Sequence, residues 1–159
     1  MLQHFGEIGE SIENISAILV THEHIDHTKS LQMLANKYNI PIYANAKTWK
    51  ALKNISDNIS FNNKVTFDML KDFEIGSLKI FAFPTPHDAA SPCGFNIYSD
   101  NKKLSIATDI GFISKDLFKH LENSSSILIE SNYDPEILKV SPYPYLLKQR
   151  IAGQNRSFI

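Results

Sequence analysis

His22-Glu23-His24-Ile25-Asp26-His27 places three imidazoles and two carboxylates within six consecutive residues, directly after the apolar run Ala17-Ile18-Leu19-Val20. Such density of nitrogen and oxygen donors is that of a metal-binding loop. Imidazole nitrogen with carboxylate oxygen suits zinc, manganese or iron, and a loop at a strand end can aim several side chains into one small volume. The bland alternative is a solvated polar loop. It requires the donor spacing and the strand-then-helix setting to coincide by chance.

Outward from this loop, apolar β-formers alternate with amphipathic stretches, as expected of strands interleaved with helices. Residues 17–21 predict a buried strand, and Thr28 is placed to cap a helix over 28–37. In that helix Leu31, Leu34, Ala35 and Tyr38 share one face. A second strand is expected at 41–44, a helix at 46–53 with Trp49 on its apolar side, and a polar connection at 54–63. Two-residue alternation then predicts strands at 78–83 and 93–99, followed by a hairpin turn at Asp100-Asn101 into a strand at 103–108. A helix near 114–123, a strand at 126–130 and a last helix around 145–151 complete a mixed α/β reading. No internal repeat or low-complexity segment interrupts it.

Two more metal-type groups follow predicted strands. His87 lies in Pro84-Thr85-Pro86-His87-Asp88, and Asp109 in Thr108-Asp109-Ile110-Gly111. Alone, each reads as a loop or turn residue. Together with the histidine loop they put polar groups at separate strand ends, where α/β sites collect.

Composition narrows the classes. The chain has 159 residues, 43% of them hydrophobic, which suits one globular domain, 1–159. A net charge of −1, from 16 basic and 17 acidic residues, gives no bulk electrostatic reason for binding nucleic acid or an anionic membrane. With one cysteine, Cys93, no internal disulfide or thiolate cluster can form, and a cytoplasmic setting is expected. Cys93 itself reads as a small buried apolar residue, Trp49, Phe81, Phe83 and Phe95 as core, and His4 and His120 as surface histidines. No apolar run approaches the ~20 residues of a membrane helix, and residues 1–10 lack a signal-peptide layout. Oligomeric state is left open.

The His-x-His-x-Asp-His order of residues 22–27, the downstream His87 and the Thr108–Gly111 turn resemble the metallo-β-lactamase-fold family. That resemblance implies an αββα sandwich of two mixed sheets with helices outside, present in part. It further implies a metal-dependent hydrolase with two divalent ions, zinc first and manganese or iron as alternatives. By the family's pattern His22, His24 and His87 would hold one ion, Asp26 and His27 the second, and Asp109 would bridge. Paired ions activate a water and polarise the scissile group. Asp26 could orient that water and carry its proton.

Glu130-Ser131-Asn132-Tyr133-Asp134 and residues 142–151 further resemble the YycJ/WalJ-type, exonuclease-like bacterial branch. On that resemblance phosphodiester hydrolysis, with DNA as the substrate, is the first expectation. Ester, thioester or lactone hydrolysis is the alternative, and a metal-binding remnant without turnover the third. A diiron oxidoreductase is disfavoured, because that branch carries glutamate where His24 stands. A basic and aromatic group, Tyr143, Tyr145, Lys148 and Arg150, could touch a nucleic-acid backbone, although a packed helix with a solvated face is the simpler reading.

Relative to the family, a hairpin before the histidine loop and a final Gly-His histidine have no counterpart here. The C-terminal stretch runs Gly153-Gln154-Asn155-Arg156-Ser157-Phe158-Ile159 instead. A fragment or truncated product is therefore expected, with an unpaired sheet edge and a more weakly held second ion. Two tightly held ions would instead mean that another group, Glu130 or Asp134, completes the site.

Overall fold

Ile42 and Ala44 turn to one side of their strand and Tyr43 to the other, and both sides are covered. The reason is visible in the computed structural model, which describes residues 6–130, 135–145 and 148. Three short strands, β1 (Ile18–Leu19), β2 (Ile42–Asn45) and β3 (Lys64–Phe67), form a parallel sheet in that order. Five more form a second sheet in chain order: β4 (Asp72–Ile75), β5 (Leu78–Pro84), β6 (Cys93–Ser99), β7 (Lys102–Ala107) and β8 (Ser126–Ile129). Pairing there is antiparallel up to β7, and β8 runs parallel to β7.

Helices α1 (Ile25–Thr28), α2 (Leu31–Tyr38), α3 (Ala46–Ala51) and α4 (Lys53–Ser56) occupy the connections of the first sheet. Two more, α5 (Lys115–Leu121) and α6 (Pro135–Val140), flank β8 in the chain.

Apolar periodicity sorts the residues into three packed layers. Val20, Ile42 and Ala44 meet Leu31 and Ala35 of α2 and the neighbouring Leu52 and Ile59. Between the sheets, Phe67 and the partly buried Leu19 and Tyr43 meet Ile80, Ala82, Cys93 and Phe95. Phe67 stacks on Phe73 at 5.0 Å and meets Phe95 edge-on at 5.7 Å, both favourable aromatic geometries. On the outer face of the second sheet, Phe83 and Ala107 pack against Leu117 and Leu121 of α5. Gly94 is required there, since a Cβ would come within 2.6 Å of both the Phe83 ring and the Ile106 carbonyl. The resulting helix, sheet, sheet, helix order is the αββα arrangement expected.

Several local expectations change. Thr28 does not cap a helix over 28–37, because Ile25–Thr28 is already helical. Its hydroxyl instead donates back to the His24 carbonyl at 2.9 Å, ending α1 before α2 begins. The 54–63 connection holds the end of α4 and a 3-10 turn, Phe61–Asn63. Strands β3 and β4 and helix α6 were not anticipated; the helix expected near 114–123 is α5, capped by Ser114, which accepts from the Leu117 N–H at 3.0 Å. His120 is half-buried, stacked on Phe83 at 4.9 Å. His4, Ser131 to Asp134, Arg150 and most of the expected helix at 145–151 lie outside the described residues. No helix among the described residues is long and apolar enough to cross a membrane.

Cys93 is buried, its Sγ 3.4 Å from the Thr21 carbonyl, and burial pushes its thiol pKa up to about 12. At pH 8 the thiolate fraction is then ~10⁻⁴, against ~0.2 for an ordinary thiol. Alkylation of the native protein should accordingly run on the order of 10³-fold slower than in denaturant, where the thiol is ordinary. Equal rates would show that Cys93 is not held in the core.

Candidate metal centre

Four strand ends meet at one edge of the sandwich. The histidine loop follows β1, His87 follows β5, Asp109 follows β7 and Glu130 follows β8. Backbone bonds fasten these ends together: Cys93 N–H donates to Thr21 O at 3.0 Å, and Gly111 N–H to Pro86 O at 2.7 Å. Glu23 adds a side-chain tie, accepting from the Ala90 N–H at 2.7 Å and so joining the histidine loop to the loop that carries His87. Nothing in the sequence announced this role for Glu23, because it depends on two segments 67 residues apart.

His22 is 1% exposed, and its ring is flanked by those of His24, His27 and His87 with centroids 4.3–4.6 Å away. Its Nε2 lies 3.1 Å from His24 Nδ1, which in turn lies 3.2 Å from His87 Nε2. Tetrahedral zinc with nitrogens at ~2.0–2.1 Å spaces its ligand atoms ~3.3 Å apart, so these atoms are set for a shared cation. The opposite side of each ring matters as much. Thr21 Oγ1 sits 3.0 Å from His22 Nδ1, and Asp88 Oδ1 3.2 Å from His87 Nδ1. With the His22 Nδ1–H donating to Thr21 Oγ1, its Nε2 keeps its lone pair for the centre, and Asp88 sets a carboxylate charge beside His87 Nδ1.

A second group, His22, His27 and Asp109, has ligand atoms all within 4.8 Å of one another, as does the first group, His22, His24 and His87. His27 Nε2 is 3.2 Å from Asp109 Oδ2 and 3.5 Å from Asp26 Oδ2. Five of the six expected ligands thus fall into the two groups. Asp26 stands at their rim, its side chain 75% exposed. Since His22 is common to both groups and its Nδ1 is already engaged, it has one nitrogen to offer.

Electrostatics favour the metal-ready protonation state. Burial, and then the neighbouring imidazoles of His27, His87 and His24, lower the pKa of His22 to about 4. It is therefore neutral at pH 7. Asp26 is held below the usual carboxylate range, first by its own backbone N–H, against an opposing effect of desolvation, and with further help from His27, His22 and His24. It is ionised over the same range. Glu130 has both carboxylate oxygens on backbone N–H groups, accepting from Asp109 at 2.8 Å and Ile110 at 2.7 Å. Lys148 Nζ donates to the Lys139 carbonyl at 2.6 Å.

The family model described as "Beta-lactamase superfamily domain" matches residues 2–144. "Exodeoxyribonuclease YycJ" of Bacillus anthracis is 38% identical over 143 residues, covering 90% of this chain and 54% of that protein. "Exodeoxyribonuclease WalJ" of Streptococcus pneumoniae serotype 2 is 39% identical over 149 residues, covering 92% and 55%. The chain thus spans about half the length of the curated relatives it matches.

Among solved structures, Zn(2+)-bound PqqB from Methylobacterium extorquens superposes with a TM-score of 0.68 at 18% identity, covering 79% of this chain and 49% of that one. Rm3 metallo-beta-lactamase gives 0.63 at 17%, covering 96% and 68%. These two likenesses concern the fold alone. With a family model over residues 2–144 and relatives at 38–39% identity across nine-tenths of its length, the chain belongs to the beta-lactamase superfamily domain family and is a YycJ/WalJ-like member of it.

Proposed function

We propose that this chain carries the metal centre of a hydrolase that cleaves phosphodiester bonds of DNA. The observation that carries the reading is the convergence of His22 Nε2, His24 Nδ1 and His87 Nε2 at 3.1 and 3.2 Å at the end of the sandwich where the strands run out. The donor set fits a divalent ion of borderline softness, zinc first and manganese or iron next. His22, His24 and His87 would hold one ion. His27 and Asp109, with Asp26 beside them, would hold a second.

Ions bound there supply Lewis acidity toward a phosphoryl oxygen and a water acidified toward neutral pH. The protein's own part is to orient and to move protons. Thr21 fixes the tautomer and tilt of His22, so this ligand is ordered before substrate arrives. Asp26, ionised and open to solvent, is placed to accept a proton from an attacking water and release it to bulk. Choice of DNA over an ester rests on the names of the relatives, since the fold alone serves many substrates.

The test is release of nucleotides from end-labelled single- and double-stranded DNA by the chelator-treated protein, before and after zinc, manganese or ferrous iron is restored. Hydrolysis should appear with metal and vanish with chelator. Turnover of thioester or lactone substrates without any action on DNA would move the protein to the other substrate class.

A further inference from the structure

We propose that Glu130 is a positioning residue for the centre, whose carboxylate clamps the backbone of Asp109 so that the Asp109 side chain is aimed at His27. The inference rests on the metal reading above and concerns a residue that contributes no ligand atom to either group of donors.

It starts from the strand register. β7 and β8 run parallel with Ala107 opposite Ile129, so both strands end together and Glu130 emerges beside the Thr108-Asp109 turn. Asp109 has φ +51°, a left-handed conformation uncommon for residues with a Cβ, although aspartate and asparagine adopt it more readily than most. Such a backbone persists where its surroundings over-determine it. Here Glu130 Oε2 accepts from the Asp109 N–H at 2.8 Å and Oε1 from the Ile110 N–H at 2.7 Å. Two consecutive amides on one carboxylate form a charge-assisted, two-point grip, stronger and more directional than a neutral turn bond.

The other side of the turn is pinned as well, since Gly111 N–H donates to the carbonyl of Pro86, one residue before His87. Held in this way, Asp109 brings Oδ2 to 3.2 Å from His27 Nε2. Without the grip the turn can relax toward right-handed φ, swinging the carboxylate off His27. The group of His22, His24 and His87 does not include Asp109 and should feel this little. Glu130 is thus assigned a selective effect on one half of the centre, which general fold support would not produce.

The experiment is a calorimetric titration of the chelator-treated chain with zinc, comparing the unmodified protein, Glu130→Gln and Asp109→Asn, with a thermal melt of each. Glu130→Gln keeps the shape but presents an amide N–H₂ to one of the two N–H groups. It should weaken the second ion ~10–100-fold, the scale of lost partners behind metal ligands, while the first shifts by less than about threefold. Asp109→Asn should weaken the same ion.

If Asp109→Asn loses the second ion and Glu130→Gln keeps it, the role of Glu130 is overturned and the metal reading stands. Equal weakening of both ions with a lowered melt would make Glu130 a general fold element, also overturning the proposal. If Asp109→Asn leaves both ions bound, the metal reading fails and this proposal with it. Should Glu130→Gln not fold, amide exchange in the metal-free unmodified chain decides. Asp109 and Ile110 N–H must be protected, and exchange as fast as in open loops overturns the clamp.

Discussion

Replacing His22 with alanine should strip the protein of its tightly held metal and abolish hydrolysis. No other ligand combines so many roles. It is common to both donor groups, it is 1% exposed, and burial with the surrounding imidazoles keeps it neutral down to a pKa of about 4. Loss of a residue that merely supports a ligand typically costs ~10–100-fold in metal affinity, so loss of this ligand should exceed that range. Metal analysis after dialysis reads the effect, with circular dichroism confirming that the sandwich persists. A folded His22→Ala protein that retained full metal would mean that the histidine loop is not the centre.

Asp26→Asn should separate chemistry from folding. The side chain is 75% exposed and belongs to neither donor group, so its replacement should leave the melting temperature unchanged. Its charge, however, is the one open to solvent beside His27, 3.5 Å from Nε2. Removing that charge should lower turnover by ~10²-fold or more, the scale of a lost general acid or base. Part of the loss should appear as weaker binding of the second ion if Asp26 also touches it. A large fall in thermal stability with turnover retained would make Asp26 structural.

The donor residues of the candidate site were easier to single out in the sequence than several of the elements around them, for physical reasons. Residues 22–27 carry their donors contiguously, so no tertiary information is needed to see them. His87 and Asp109 could be found because each follows an alternating apolar run, now β5 and β7. Glu130 could be singled out but not given a role, since its partners depend on the parallel register of β7 and β8. Glu23 was counted as one of the loop carboxylates, yet its bond to Ala90 needs the two loops to meet first.

Among secondary structures, β3 and β4 were missed because both are half-exposed and mix apolar residues with Lys64, Thr66, Asp72 and Glu74. Thr66 favours a strand, but Lys64, Asp72 and Glu74 disfavour one, and sheet pairing overrides them. The helix start was misplaced at Thr28 because a threonine before an apolar stripe looks like a cap. In the folded chain its hydroxyl serves the preceding turn instead, bonding to the carbonyls of Glu23 and His24.

The most direct test of the centre is an anomalous-difference map from crystals of the zinc-loaded chain, with data collected on either side of the zinc absorption edge. One peak is expected among His22 Nε2, His24 Nδ1 and His87 Nε2, and a second beside His27, Asp109 and Asp26. Zinc bound only elsewhere, with these side chains free of density for an ion, would contradict this expectation.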